Sequence, residues 1–224
     1  MSLEKIQLRK LLKFFYLDRS ELVGALRNDI REEISRKPDE ESGGGDFFGP
    51  FWGDAKKFAA NEIDLHAATA ERIESNRLRR RLYPLLQDGF LNWWNEKRRW
   101  RNEAFTIAER SPSGLFPIEE IGLTVRVENL LALHIEGGSN RAIYPYFSET
   151  PALSREAARL GLWVLNETIS DYEVEDLRML DILRSTSYGV TDCPFEGNER
   201  ELFIRKYNHI KSEWDRLRRE YPDD

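Results

Sequence analysis

The chain has 224 residues and a formal charge of −6, and its single cysteine, Cys193, excludes an intramolecular disulfide and a thiolate-built zinc site. An apolar content of 40%, with 12% aromatic, is enough for a buried core and excludes wholesale disorder. No run of eighteen apolar residues occurs and charges interrupt the N-terminus, so neither a membrane span nor a secretory leader is expected. A cytoplasmic protein without metal or cofactor is the expectation.

Residues 1–36 read as a helical hairpin module. Leu8, Leu11, Leu12 and Phe15 recur at helical spacing. Asp18 to Ser20 break that pattern, and Val23, Leu26, Ile30 and Ile34 form a second stripe. Two such short stripes need a third surface to cover them. Residues 37–54, KPDEESGGGDFFGPFWGD, read as a flexible acidic tether. It ends in Phe47, Phe48, Phe51 and Trp52, whose exposure to water would cost roughly 25 cal/mol per Å² of apolar area. Those four either clasp the main body or form a partner-docking motif.

Residues 55–224 read as a mainly α domain with a central β-hairpin. In RLRRRLYP, residues 77–84, helical spacing puts Arg77, Arg80 and Arg81 on one face, where they could meet the phosphates of a nucleic acid. In GFLNWWNEKRRWRNEAF, residues 89–105, a helix would gather Phe90, Trp93, Trp94, Trp100 and Ala104 on one face, extended by Leu86, as a packing surface. Lys97 and Arg101 fall inside that face. A cation so placed calls for an anion, either an internal carboxylate or a bound phosphate or carboxylate ligand.

Charge is unevenly spread. Nine cations face five acids between Glu71 and Glu103, whereas six arginines face fourteen acids between Phe116 and Gly197. The two segments either neutralise each other or face different partners.

LTVRVENLLALHIE, a Gly137-Gly138-Ser139-Asn140 turn and RAIYPYF predict strands joined by a hairpin. Leu131, Leu133 and Ile135 should share one face, with Ala132 and His134 on the other. Pro145, lacking an N–H, should lie at a sheet edge or a bulge. Helices are expected from Ser154 to Thr168, Val174 to Arg184 and Asn198 to Arg219. In the last, Phe203, Tyr207, Ile210, Trp214 and Leu217 follow the 3.5-residue period of a coiled-coil seam, a candidate homodimer contact. The fold class expected is α+β, mainly α: an N-terminal helical hairpin, a helical bundle and one small antiparallel sheet in the middle.

No catalytic signature stands out. GGSNRAIYPYFSE lacks the acidic pair that a nucleotidyltransferase needs for two metals, since only Glu149 lies at that distance. A nuclease of the Asp…Glu-x-Lys kind needs an acid on one strand and Glu-x-Lys on the next, and Glu128 and Glu136 have no lysine beside them. His66, His134 and His209 are far apart, without ligand spacing. The expected function is therefore a non-catalytic intracellular interaction protein, an adaptor, scaffold or accessory subunit binding another protein or itself. The alternatives are a nucleic-acid-binding accessory protein using Arg77, Arg80 and Arg81, and an enzyme whose site is built from unremarkable residues.

Overall fold

A computed structural model describes residues 3–35, 46–98 and 103–221. Strand β1 (Lys5–Gln7) leads into helices α1 (Leu8–Tyr16) and α2 (Arg19–Ser35). Helices α3 (Gly49–Ala59), α4 (Leu65–Ser75) and α5 (Tyr83–Asn92) follow, then strands β2 (Phe105–Ile107), β3 (Gly114–Ile118), β4 (Leu123–Val127), β5 (Leu131–Ile135) and β6 (Ser139–Tyr146). Helix α6 (Arg155–Thr168) connects to β7 (Leu177–Asp181), β8 (Thr186–Tyr188) and α7 (Glu199–Arg218).

The mainly α expectation with one small antiparallel sheet is overturned. Among the described residues the chain is a mixed α/β protein with two sheets, ordered β1-β4-β3 and β2-β5-β6-β7-β8. Each contains a parallel pair, β1 with β4 and β6 with β7. The helix expected over Val174–Arg184 is strand β7, preceded by a 3₁₀ turn at Val174–Asp176. Its Leu177 and Met179 enter one apolar cluster while Leu180, with Ile182 just beyond the strand, enters the other. A strand apolar on both faces shows no alternation, and so short a run is indistinguishable by period from a buried helix.

The five-stranded sheet lies between two helical layers. On one face α1, α2, α6 and α7 pack with Ala142, Tyr144 and Tyr146 and with the inner face of the smaller sheet. On the other, α3, α4 and α5 cover Leu131, Leu133, Ile135 and Ile143. The β5 alternation holds as expected, with His134 exposed on the opposite side. Pro145 lies on a central strand yet keeps the rule that motivated the edge expectation. The carbonyl of Tyr146 accepts from Ile182 N at 3.0 Å, so Tyr144 and Tyr146 point their backbone groups at β7 and Pro145 points away from it. On that other side the pairing with β5 has already ended at Ile143–Leu131.

Helix α6 begins at Ser154, whose hydroxyl accepts from Ala157 N at 3.1 Å, and α7 starts after Asn198, both close to expectation. The α7 stripe is covered within the chain. Phe203, Tyr207, Ile210, Trp214 and Leu217 are buried in the same cluster as α1, α2 and α6, with Trp214 7% exposed. A dimer seam on that stripe would require those helices to leave. The N-terminal helices find their third surface in the same place, through Leu8, Leu11, Leu12, Leu22, Leu26 and Ile30.

The run Gly43–Gly45 lies outside the described residues. The end of the expected tether is helical, because α3 starts at Gly49 with Pro50 in its first turn. Phe51 and Trp52 are 1% exposed. Phe48 stacks on Phe147 with centroids 4.8 Å apart, Phe47 meets Tyr83 edge-on at 5.5 Å, and Tyr83 Oη donates to the Phe47 carbonyl at 2.7 Å. These aromatics are a clasp onto the sheet's end. Arg9 reaches into it from α1. Its guanidinium lies 5.4 Å from the Phe147 centroid and pairs with Asp46, and its backbone N–H donates to Tyr144 Oη at 3.1 Å.

Two measurements check this packing. Trp214→Ala should lower stability by about 3–5 kcal/mol in urea denaturation, the range for deleting a buried tryptophan; unchanged stability would place the side chain outside the core. Burial holds the Tyr144 and Tyr146 hydroxyls protonated, pushing both from the ordinary 10 up to about 12. With folded values raised, that contribution is complete below pH 10 and lost as pH rises toward about 12. A Tyr144→Phe/Tyr146→Phe variant should therefore show a shallower alkaline loss of stability than the wild type.

Candidate functional site at the ends of the parallel strands

Parallel strands β6 and β7 both end where α5 crosses them, and the carboxyl end of a parallel pair is where open α/β sheets commonly hold ligands. The approach of α5 depends on Gly89, since a Cβ there would lie 2.1 Å from the Ile182 carbonyl oxygen. That contact brings the arginine segment before α5 to the loops after β6 and β7.

The segment is not the α-helix the sequence suggested. Residues Arg77–Arg80 form a 3₁₀ turn, capped by the Asn76 side chain accepting from Leu78 N at 3.0 Å. At three residues per turn Arg77 and Arg80 align and Arg81 swings to a different side. Arg77 and Arg80 are exposed and, among the described residues, meet no hydrogen-bond or ion-pair partner. Arg79 lies over the Tyr83 ring at 5.3 Å and reaches Ser75 Oγ at 3.2 Å. Arg81 donates both terminal nitrogens to the Glu149 carboxylate, each at 2.6 Å. That bond, first among the causes, holds the Glu149 carboxyl below its ordinary value and raises Arg81.

Two leucines in this segment are conspicuous. Leu78 is 80% exposed and Leu85 50%, two of the four large apolar side chains exposed among the described residues. Leu85 also walls a cavity of about 550 Å³ shared with Asp88, Asn92, Glu149, Leu183, Arg184 and Ser185.

The loop carrying Glu149 is braced from β7. Arg184 donates to the Ser148 carbonyl at 2.6 Å and to the Glu149 carbonyl. Asp181, 2% exposed, accepts from Leu153 N at 3.0 Å and from Arg184 N at 3.3 Å. Asn92 Nδ2 donates to Ser185 Oγ at 3.1 Å and ties the end of α5 to the turn after β7.

The other sequence candidates fall elsewhere. Helix α5 gives way to a π turn at Trp93–Lys97, which ends where Arg98 becomes extended. Leu86, Phe90, Trp93 and Trp94 are buried as expected, but Lys97 is exposed on the turn. Among the described residues, the cation stacked on the aromatic face is Arg98, 4.0 Å from Trp94 and 5.3 Å from Phe105. Trp100 and Arg101 lie outside the described residues. Neither β5 nor β6 carries a carboxylate or lysine, so the antiparallel pair offers no Asp…Glu-x-Lys arrangement. The described residues hold no group of three or more His, Cys, Asp or Glu side chains able to bind a metal. No described helix is long and apolar enough to cross a membrane.

Sequence reasoning missed Leu78, Leu85, Arg184 and the Arg81–Glu149 pair. Leu78 was legible as an apolar residue flanked on both sides by arginines. The pair joins residues 68 apart and had no local signal. No protein-family model matches the chain, and the search of curated proteins returns no significant match.

Asp181→Asn should cost about 1–3 kcal/mol, because an amide can accept but leaves buried donors poorly matched. Urea midpoints for Asp181→Asn and wild type give the comparison; equal midpoints would show that the loop holds without this carboxylate.

Proposed function

We propose that the protein is a non-catalytic intracellular interaction protein that docks an acidic protein partner on the segment Arg77–Leu85. The observation that carries this reading is the exposure of Leu78 and Leu85 within one short segment that also presents Arg77 and Arg80 without partners. A segment that presents exposed aliphatic side chains together with unpartnered cations suits a protein surface of matching apolar and acidic character. Two other sequence candidates support the choice by subtraction: the Phe51–Trp52 clasp and the Trp214 stripe are spent inside the chain.

A nucleic-acid partner is the second reading, favoured by the same exposed Arg77 and Arg80. With a net charge of −6, any such contact has to be local. Arg77→Glu/Arg80→Glu should abolish capture of the partner while leaving the thermal melt unchanged. Leu78→Ser separates the readings: it should weaken a protein partner by tenfold or more, the scale of about 1.4 kcal/mol, and leave nucleic acid untouched. Crosslinking and mass spectrometry with and without nuclease treatment provide the readout. Retention of nucleic acid alone, with a salt dependence near one log unit per phosphate contact, would overturn the protein reading.

A further inference from the structure

We infer that Glu149 is an internal stand-in for the partner's carboxylate, and that the docked segment carries an acidic residue beside a large aliphatic one. The inference rests on the docking surface proposed above and adds the partner's pattern and its competitor.

The fork of Arg81 is already filled by a planar carboxylate bound through two parallel bonds of 2.6 Å. That arrangement shows which anion the fork fits: two oxygens in one plane. The pair sits in water, with side-chain exposures of 71% for Arg81 and 41% for Glu149. Ion pairs of that kind hold weakly and exchange with an incoming carboxylate. The exchange does not unfold the loop, because Arg184 grips the backbone carbonyls of Ser148 and Glu149 and leaves the Glu149 side chain free to rotate.

The neighbouring cavity supplies the rest of the pattern. Leu85 and Leu183 wall it, and Glu149 borders both the cavity and Arg81. A carboxylate on Arg81 therefore brings the adjoining residue of a bound segment to Leu85, where an aliphatic side chain would cover the exposed leucine. Asp88 and Glu149 on the same rim oppose a run of phosphates, which presents negative charge at every step and no aliphatic group.

Fluorescence anisotropy tests this with a fluorescein-labelled peptide of alternating glutamate and leucine, an all-glutamate peptide with as many carboxylates, and a single-stranded oligonucleotide of matched charge. Glu149→Gln should bind the alternating peptide about two- to fivefold more tightly than wild type, the gain expected from removing one exposed ionic competitor. Asp88→Asn, with the same change in net charge, should gain less. The Glu149→Gln gain should vanish in an Arg81→Ala background. Leu85→Ser should weaken the alternating peptide and leave the all-glutamate peptide unaffected.

A gain no larger than that of Asp88→Asn, or one that persists without Arg81, would overturn the competitor while leaving the docking surface standing. An oligonucleotide bound as tightly as the alternating peptide would overturn the partner's chemistry. Failure of wild type and Glu149→Gln alike to bind either peptide would overturn both the inference and the docking reading.

Discussion

Two parallel strands side by side must be covered on both faces, and the β6–β7 pair imposes that requirement on everything around it. The connection between them is long enough to be α6, which lays one helical layer on the sheet. The opposite face then needs its own cover, supplied by α3, α4 and α5. Gly89 permits the last of these to touch the backbone beyond β7, so the site at the strand ends follows from how the core is closed. The arginine segment is presented there because it immediately precedes the helix that does the covering.

Elements whose polar and apolar residues segregate were legible in the sequence. Helix α6 announced itself with Ser154 as its cap, α7 with its 3.5-residue period, and β5 with alternation that left His134 outside. Strand β7 was not legible, since Leu177, Met179, Leu180 and Ile182 feed two opposite clusters and so carry no period. Strand β1 was too short to register and exists through its pairing with β4, more than a hundred residues away. Among the site residues, the basic character of residues 77–81 was plain, but its geometry was not. A 3₁₀ turn rather than an α-helix separates Arg81 from Arg77 and Arg80, and the partner that claims Arg81 comes from a loop no local pattern connects to it.

The tryptophan-rich run shows the same division. Phe90, Trp93 and Trp94 are core, as their spacing implied, but the helix ends in a π turn and the chain departs at Arg98. A one-residue change in register is enough to exchange the roles of neighbouring cations: Arg98 covers Trp94 while Lys97 turns outward. Periodicity identifies the side that packs. It does not reveal where the period stops.

Arg9 has a consequence for how the molecule breathes. It belongs to α1, in one helical layer, yet its side chain rests on Phe147 and Asp46, which belong with the other layer's clasp. Its backbone is held by Tyr144, a residue of the sheet between them. All three layers are thus pinned at the Phe147 end, while the β5–β6 turn at Gly137–Gly138 lies at the far end of the same strands. Thermal opening should behave like a book sewn along one edge, with amide exchange fastest near the glycine turn and slowest beneath the Arg9 stitch.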